Sequence, residues 1–307
     1  MRTAFIETLF ALAKVDPRLF LVVGDLGFGV VDRFARELPN QYVNAGVAEQ
    51  NMTGLAAGLA LSGRIVFTYS IANFPTLRPL EQVRNDVCYH RANVKIVAVG
   101  GGTTYGALGA SHFATEDLAV MRAMPNLTVV APGDPTEAEL ATRAVAAHDG
   151  PCYLRLGRAG ETRIHAAPPA FSLGKAVVLR EGNDLTLVST GGMLKHVVEL
   201  VGLLEKDGVS AGVLSMHTLK PLDAETLIAC ASRSRCVVTI EEHSVIGGLG
   251  GACAEALCEA GLPGLAFLRL GFPSAFSPHV GGQDYLLAQH GLDASGLYQS
   301  VRRFLGM

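Results

Sequence analysis

Short β-branched runs in this chain alternate with longer stretches of helical periodicity, and no other feature constrains the fold as much. Residues 20–25 (FLVVGD), 64–70 (RIVFTYS), 94–102 (VKIVAVGGG), 127–134 (LTVVAPGD) and 152–158 (CYLRLGR) read as strands, each followed by a helix-length segment. That grammar predicts βαβ units and a parallel sheet in an α/β domain. Across 158–175 (RAGETRIHAAPPAFSLGK) both periods lapse into Pro, Gly and small polar residues, which marks a boundary. A second alternation follows, with strands expected at 176–182, 184–192, 210–219, 236–243 and 265–272 and a helix over 193–206. With 307 residues, 49% of them hydrophobic, the chain exceeds one compact core. The expected organisation is two parallel-sheet α/β domains, 1–165 and 175–307.

A net charge of -3, with no cluster of Lys and Arg, leaves no basic face for a nucleic-acid backbone. The first twenty residues read as an amphipathic helix interrupted by Glu7, Lys14 and Asp16, not as a cleaved leader. The apolar runs elsewhere are far shorter than the roughly 20 residues a bilayer crossing needs, so no membrane partner is expected. Six cysteines show no CxxC pairing, which points to a reducing cytoplasm.

Ligands of open parallel sheets sit beyond the carboxyl ends of the strands, so the segments just after each strand carry the candidate chemistry. After the first strand comes Gly24-Asp25-Leu26-Gly27-Phe28-Gly29, a turn that lets backbone approach a ligand beside one carboxylate. It is not a dinucleotide fingerprint, because Asp25 intrudes and Val30-Val31 replace the third spaced glycine. The second segment runs from Asn44 to Gly58, where Glu49 opens a helix of small and apolar residues. Surrounded by Gly46, Val47, Ala48, Met52 and Leu55, its carboxyl is expected to be desolvated, raised in pKa and in need of a partner. An isolated glutamate of this kind is ordinarily a surface residue. His217, His243 and His279 have no metal-ligand spacing and receive no catalytic role.

The stretch Asn44-Ala45-Gly46-Val47-Ala48-Glu49-Gln50-Asn51-Met52 resembles the glutamate signature of the transketolase family. Ser111-His112-Phe113-Ala114-Thr115-Glu116-Asp117 is similar to its histidine loop and Tyr153–Arg158 to the strand before its interdomain linker. His217–Asp223 with Glu241-Glu242-His243 is similar to its terminal domain, so the resemblance spans nearly the whole chain.

The resemblance implies thiamine diphosphate as cofactor, held in that family between one domain that grips diphosphate and metal and another that contacts the aminopyrimidine. This chain resembles only the second, together with the C-terminal domain. The metal motif has no match, so Mg2+ and the diphosphate are expected on an α-type partner, with two copies of each chain in an α2β2 assembly. Glu49 would hydrogen-bond the aminopyrimidine, and Phe74 would stack on it or else belong to the core. Asp25 would lie near the cofactor, or would only bond its own turn. His112 would line the substrate channel as a proton-exchanging group, and Arg158 would hold a substrate phosphate or form an interdomain ion pair.

Departures from the family pattern bear on substrate. Leu108 stands where transketolases place an aspartate, Gly100 where they place a histidine, and Gly29 where they place a serine; deoxyxylulose-phosphate synthases carry an arginine near Gly101. The run Gly100–Tyr105 is therefore expected to form a flexible, roomier wall, and the reaction to be ketol or acyl transfer to an unusual sugar. Two other readings stand beside it. One is the β half of a 2-oxo acid dehydrogenase-like or deoxyxylulose-phosphate-synthase-like enzyme; the other is a non-catalytic regulator of the α chain.

Overall fold

The structure, a computed structural model describing residues 1–307, is built on two sheets. The strands are β1 (Leu19–Val23), β2 (Tyr42–Asn44), β3 (Ile65–Ile71), β4 (Val94–Val99), β5 (Thr128–Val130), β6 (Cys152–Leu156), β7 (Val177–Arg180), β8 (Leu185–Ser189), β9 (Ala211–Ser215), β10 (Thr218–Lys220), β11 (Cys236–Ser244) and β12 (Ala266–Phe272). The first sheet has the order β10-β5-β6-β4-β3-β1-β2, the second β12-β11-β8-β9-β7. Every pairing is parallel except β10 on β5 and β7 on β9, each at a sheet edge. The α/β class and the mostly parallel sheets match the sequence reading.

Two details differ from it. Residues 210–219 are not one strand. The backbone leaves β9 at Ser215, and Thr218–Lys220 crosses over to pair with β5 of the first sheet. The short edge strand β2 lies outside the expected set, since its three residues carry too little hydrophobic pattern to be read.

Central strands are buried on both faces, which explains why β4, VKIVAV, shows no polar alternation. One face of the first sheet is covered by helices Arg2–Ala13 and Pro135–Ala147, through Phe5, Leu9, Ala138, Ala141 and Val145. Its other face packs on helix Glu49–Leu61, and this core runs on through Met216 and Leu227 to Leu249 and Cys253 of the second unit. The two sheets therefore share apolar packing.

They also share a buried ionic network. Arg155 on β6 donates from Nε to Asp117 Oδ2 at 2.8 Å and from Nη2 to the carbonyls of Ala114 (2.8 Å) and Glu242 (2.9 Å). Tyr153 donates its hydroxyl to the same Asp117 oxygen at 2.6 Å. The Glu242 carboxylate accepts from Thr103 N and Oγ1, both at 2.8 Å, and from Gln283 Nε2. Burial pushes Glu242 above the ordinary carboxylate range, with Arg155 and the Thr103 donors pulling it part of the way back.

The connection between β6 and β7 has no regular element but is pinned to the helix Pro135–Ala147. Asp134 caps that helix by accepting from Glu137 N at 2.7 Å, with Pro135 at the first helical position. Its other oxygen accepts from Ile164 N (2.7 Å) and His165 N (3.1 Å). His165 Nε2 reaches the buried Glu137 carboxylate at 2.9 Å, and this bond raises the imidazole pKa above its usual 6.5.

These contacts can be tested separately. Removing the Asp117 carboxylate strands a guanidinium in the interior, so Asp117→Ala should lower unfolding stability by about 3–5 kcal/mol in denaturant titration. The raised His165 pKa means that its contribution is complete below pH 6.5 and is lost as pH rises through the folded value. Proteolytic cutting within 158–175 should therefore accelerate above neutral pH, and His165→Gln should abolish that dependence.

Candidate active site

Five neighbouring parallel strands, β6, β4, β3, β1 and β2, end on the same edge of the first sheet, and each candidate residue comes from the segment that follows one of them. Asp25 follows β1, Glu49 follows β2, Phe74 follows β3, His112 lies in the loop after β4, and Arg158 follows β6. Such an edge is where a parallel sheet gathers ligands.

Three of these side chains are brought together. Glu49 begins the helix Glu49–Leu61, where its charge complements the dipole, and its side chain is only 4% exposed. Its partner is Arg78, whose Nη1 lies 3.1 Å from Oε2. The Arg78 guanidinium also covers the Phe74 ring at 4.3 Å from the centroid, and Phe74 meets the His112 imidazole nearly edge-on at 5.2 Å. His112 Nδ1 and Ser111 Oγ are hydrogen-bonded at 3.0 Å, and Asn73 Nδ2 donates to the Ser111 carbonyl, which ties the histidine loop to the end of β3.

Asp25 stands beside this group. It adopts φ +55, a left-handed conformation that aspartate tolerates, because Asn44 secures it on both sides. Asn44 Nδ2 donates to Asp25 Oδ1 (2.9 Å), while Asn44 Oδ1 accepts from Asp25 N (3.1 Å) and Gly46 N (3.0 Å). One amide thereby joins the glycine turn to the glutamate loop.

Arg158 is exposed and opens instead on the cleft between the two sheets, which Thr104, Arg155, Lys195, His196 and Gln283 also line; Glu49, Phe74 and His112 do not. No ion pair engages it. The three histidines given no catalytic role lie outside the Glu49 group. His217 is buried flat against Phe171, centroids 3.9 Å apart, and His243 sits between the Ala119 N–H and the Ser244 carbonyl. His279 packs toward Tyr285 and His290.

Two expectations need correction. The apolar shell around Glu49 is incomplete within this chain, since Met52 is buried but Val47 is 71% exposed and Leu55 36%. The glycine run after β4 is not a roomy wall either. A Cβ at Gly100 would overlap the Tyr105 ring, one at Gly101 the Arg155 guanidinium and one at Gly102 the Glu242 carboxyl, so the missing side-chain volume is filled from elsewhere.

Asn44 and Ser111 lie within the quoted motifs but carry no assigned role there, and Arg78 and Asn73 join the site with no role assigned from the sequence. Arg78 lies 29 positions from Glu49, and only the requirement that a buried carboxylate be paired points to a cation there at all.

Comparison with known proteins follows the same lines as the geometry. The family description "Transketolase, pyrimidine binding domain" matches residues 1–160, and "Transketolase, C-terminal domain" matches residues 174–297. The chain belongs to the transketolase family. It is 40% identical to the "Putative transketolase C-terminal section" of Methanocaldococcus jannaschii, over 98% of this chain and 95% of that one. It is 37% identical to a subunit of the apulose-4-phosphate transketolase of Phocaeicola vulgatus, over 99% and 97%. It is 39% identical to a subunit of the 6-deoxy-6-sulfo-D-fructose transketolase of Clostridium sp., over 98% and 93%. Among solved structures, "Split gene transketolase, inactive beta4 tetramer" superposes with a TM-score of 0.89 at 37% identity, covering 99% of this chain and 97% of that one. With the pyrimidine-binding and C-terminal domains and matches along nearly the full length of separate subunits, this chain is the β-type half of a split, thiamine-diphosphate-dependent transketolase.

Asn44 is the residue to test for the coupling of the two transketolase loops. Asn44→Ala deletes three hydrogen bonds at a solvent-facing edge, and amide exchange in residues 24–29 and 44–48 should speed up by about tenfold while the sheet amides stay protected.

Proposed function

We propose that this chain supplies the pyrimidine half of the active site in an α2β2 transketolase that moves a two-carbon ketol unit between sugars. The observation that carries the reading is the buried Glu49 beside an aromatic face and a loop histidine, on the strand-end edge of the first sheet. The residues fit an aminopyrimidine. Phe74 offers a flat apolar surface, Glu49 a carboxyl, and the buried Ser70 Oγ and Asn73 Oδ1, at the end of β3, have no hydrogen-bond partner within the chain. Asp25 borders the same edge.

When bound, thiamine diphosphate would supply the nucleophile for two-carbon transfer. Glu49 would hydrogen-bond the aminopyrimidine at a ring nitrogen and so hold it in place. Phe74 would stack on that ring, and His112 would exchange a proton with a substrate hydroxyl. Arg158, exposed at the interdomain cleft, receives an anionic end of the sugar as a guanidinium fork suited to phosphate or sulfonate. The relatives whose names specify apulose 4-phosphate and 6-deoxy-6-sulfofructose support an unusual anionic sugar as substrate class.

The diphosphate and Mg2+ belong, in this reading, to the α-type chain, because the family's metal motif has no counterpart here. Units 1–165 and 175–307 are taken as the two domains. The exposed Phe28 and Val47, 80% and 71% accessible beside the site, are surfaces for the second copy and the α chain to cover. No helix is long and apolar enough to cross a membrane, and six free cysteines, five of them buried, support a cytoplasmic setting.

Calorimetry with thiamine diphosphate and Mg2+ tests the division of labour: tight binding is expected only when this chain is mixed with the α-type subunit. In that mixture Glu49→Gln should assemble normally and lose about 10²–10⁴ in kcat. Wild-type turnover by the variant would remove the catalytic role of Glu49.

A further inference from the structure

The Glu49–Arg78–Phe74 arrangement presents a conflict. Glu49 Oε2 is engaged by Arg78 Nη1 at 3.1 Å, and the Arg78 guanidinium lies 4.3 Å from the Phe74 ring centroid. A planar guanidinium at that distance fills one face of the ring, while the His112 imidazole approaches the same ring at 5.2 Å and 66°. An aminopyrimidine stacked on that face of Phe74 and bonded to Glu49 would need the space that Arg78 fills.

We propose that Arg78 is a latch on the pyrimidine site: in the unassembled chain its guanidinium closes over Glu49 and Phe74, and cofactor binding in the assembled enzyme displaces it. The proposal rests on the reading of Glu49 and Phe74 as the pyrimidine-binding pair.

The mobility this requires is built into the position. Arg78 sits just past the short helix Phe74–Leu77, and its carbonyl accepts from Gln50 Nε2 at 3.3 Å. Its side chain is 51% exposed, so rotation of a flexible stem carries the charged end into water without disturbing a packed core. The two contacts to be broken are one ion pair whose cation faces solvent and one cation–π contact. The buried member, Glu49, is the one that would be left without a partner, and the aminopyrimidine provides the replacement. A resident guanidinium thus keeps a desolvated carboxyl paired until the cofactor arrives.

The latch makes a prediction opposite in sign to that of a supporting residue. Removing a competitor tightens cofactor binding; removing a support weakens it. In the mixture of this chain with its α-type subunit, Arg78→Ala should lower the calorimetric Kd for thiamine diphosphate with Mg2+ by about tenfold. Arg78→Lys, which keeps the charge but cannot lie flat on the ring, should fall between. Thiamine lacking the diphosphate provides a second readout on this chain alone: saturation-transfer NMR should detect it with Arg78→Ala and not with wild type. Unchanged or weaker diphosphate binding by Arg78→Ala would overturn the latch. Glu49→Gln and Phe74→Ala separate that failure from failure of the underlying reading. If the pyrimidine site is correct both weaken cofactor binding whatever Arg78 does, and if it is misplaced both leave the affinity unchanged.

Discussion

Arg155 is the point on which the geometry of this chain depends. Its guanidinium is 4% exposed and reaches a carboxylate of the first unit, the carbonyl of Ala114 behind the histidine loop, and the carbonyl of Glu242 in the second unit. A buried cation of this kind tolerates little displacement, because each lost bond leaves an interior polar group unsatisfied. The loop from Gly100 to Asp117 is consequently wrapped around fixed polar anchors: Gly102 pairs with Ala114, Thr103 donates to Glu242, and Asp117 receives Arg155 and Tyr153. His112 is carried on that loop, so the candidate site and the junction between the sheets are mechanically one structure.

The same junction explains the glycines after β4. They are small because Tyr105, Arg155 and Glu242 occupy the space where side chains would stand. Residue size alone would assign that space to substrate, whereas close packing assigns it to neighbours that lie distant in sequence. The size of these glycines therefore says nothing about substrate, and the accessible cations include Arg78 beside Glu49 and Arg158 at the interdomain cleft.

Much of the fold is legible in the sequence because its signals are local and periodic. The strand–helix alternation and the lapse at 158–175 need only neighbours in the chain to be read. Glu49, Phe74 and His112 are also legible, as strand-end residues within a family pattern, and the structure brings them into one group. What stays hidden is non-local. The exchange of Thr218–Lys220 into the first sheet depends on β5, a strand on the far side of the domain boundary in sequence, and nothing in the residues around Met216 and His217 announces it. Arg78 is hidden for the same reason: a half-exposed arginine has no pattern, and its importance comes from what its side chain reaches.

The incomplete shell of Glu49 gives the division between chains a physical rationale. In one chain the carboxyl has Met52 behind it, Arg78 before it, and an exposed Val47 at its flank. A carboxyl placed in this way is closed on one side by its own chain and on the other only by a cation that solvent reaches. In the proposed assembly, a second protein surface over Val47 and release of Arg78 would close the open flank and free the carboxylate together. On the proposed reading, assembly would complete the surroundings of Glu49 as well as bring two domains within reach of one cofactor.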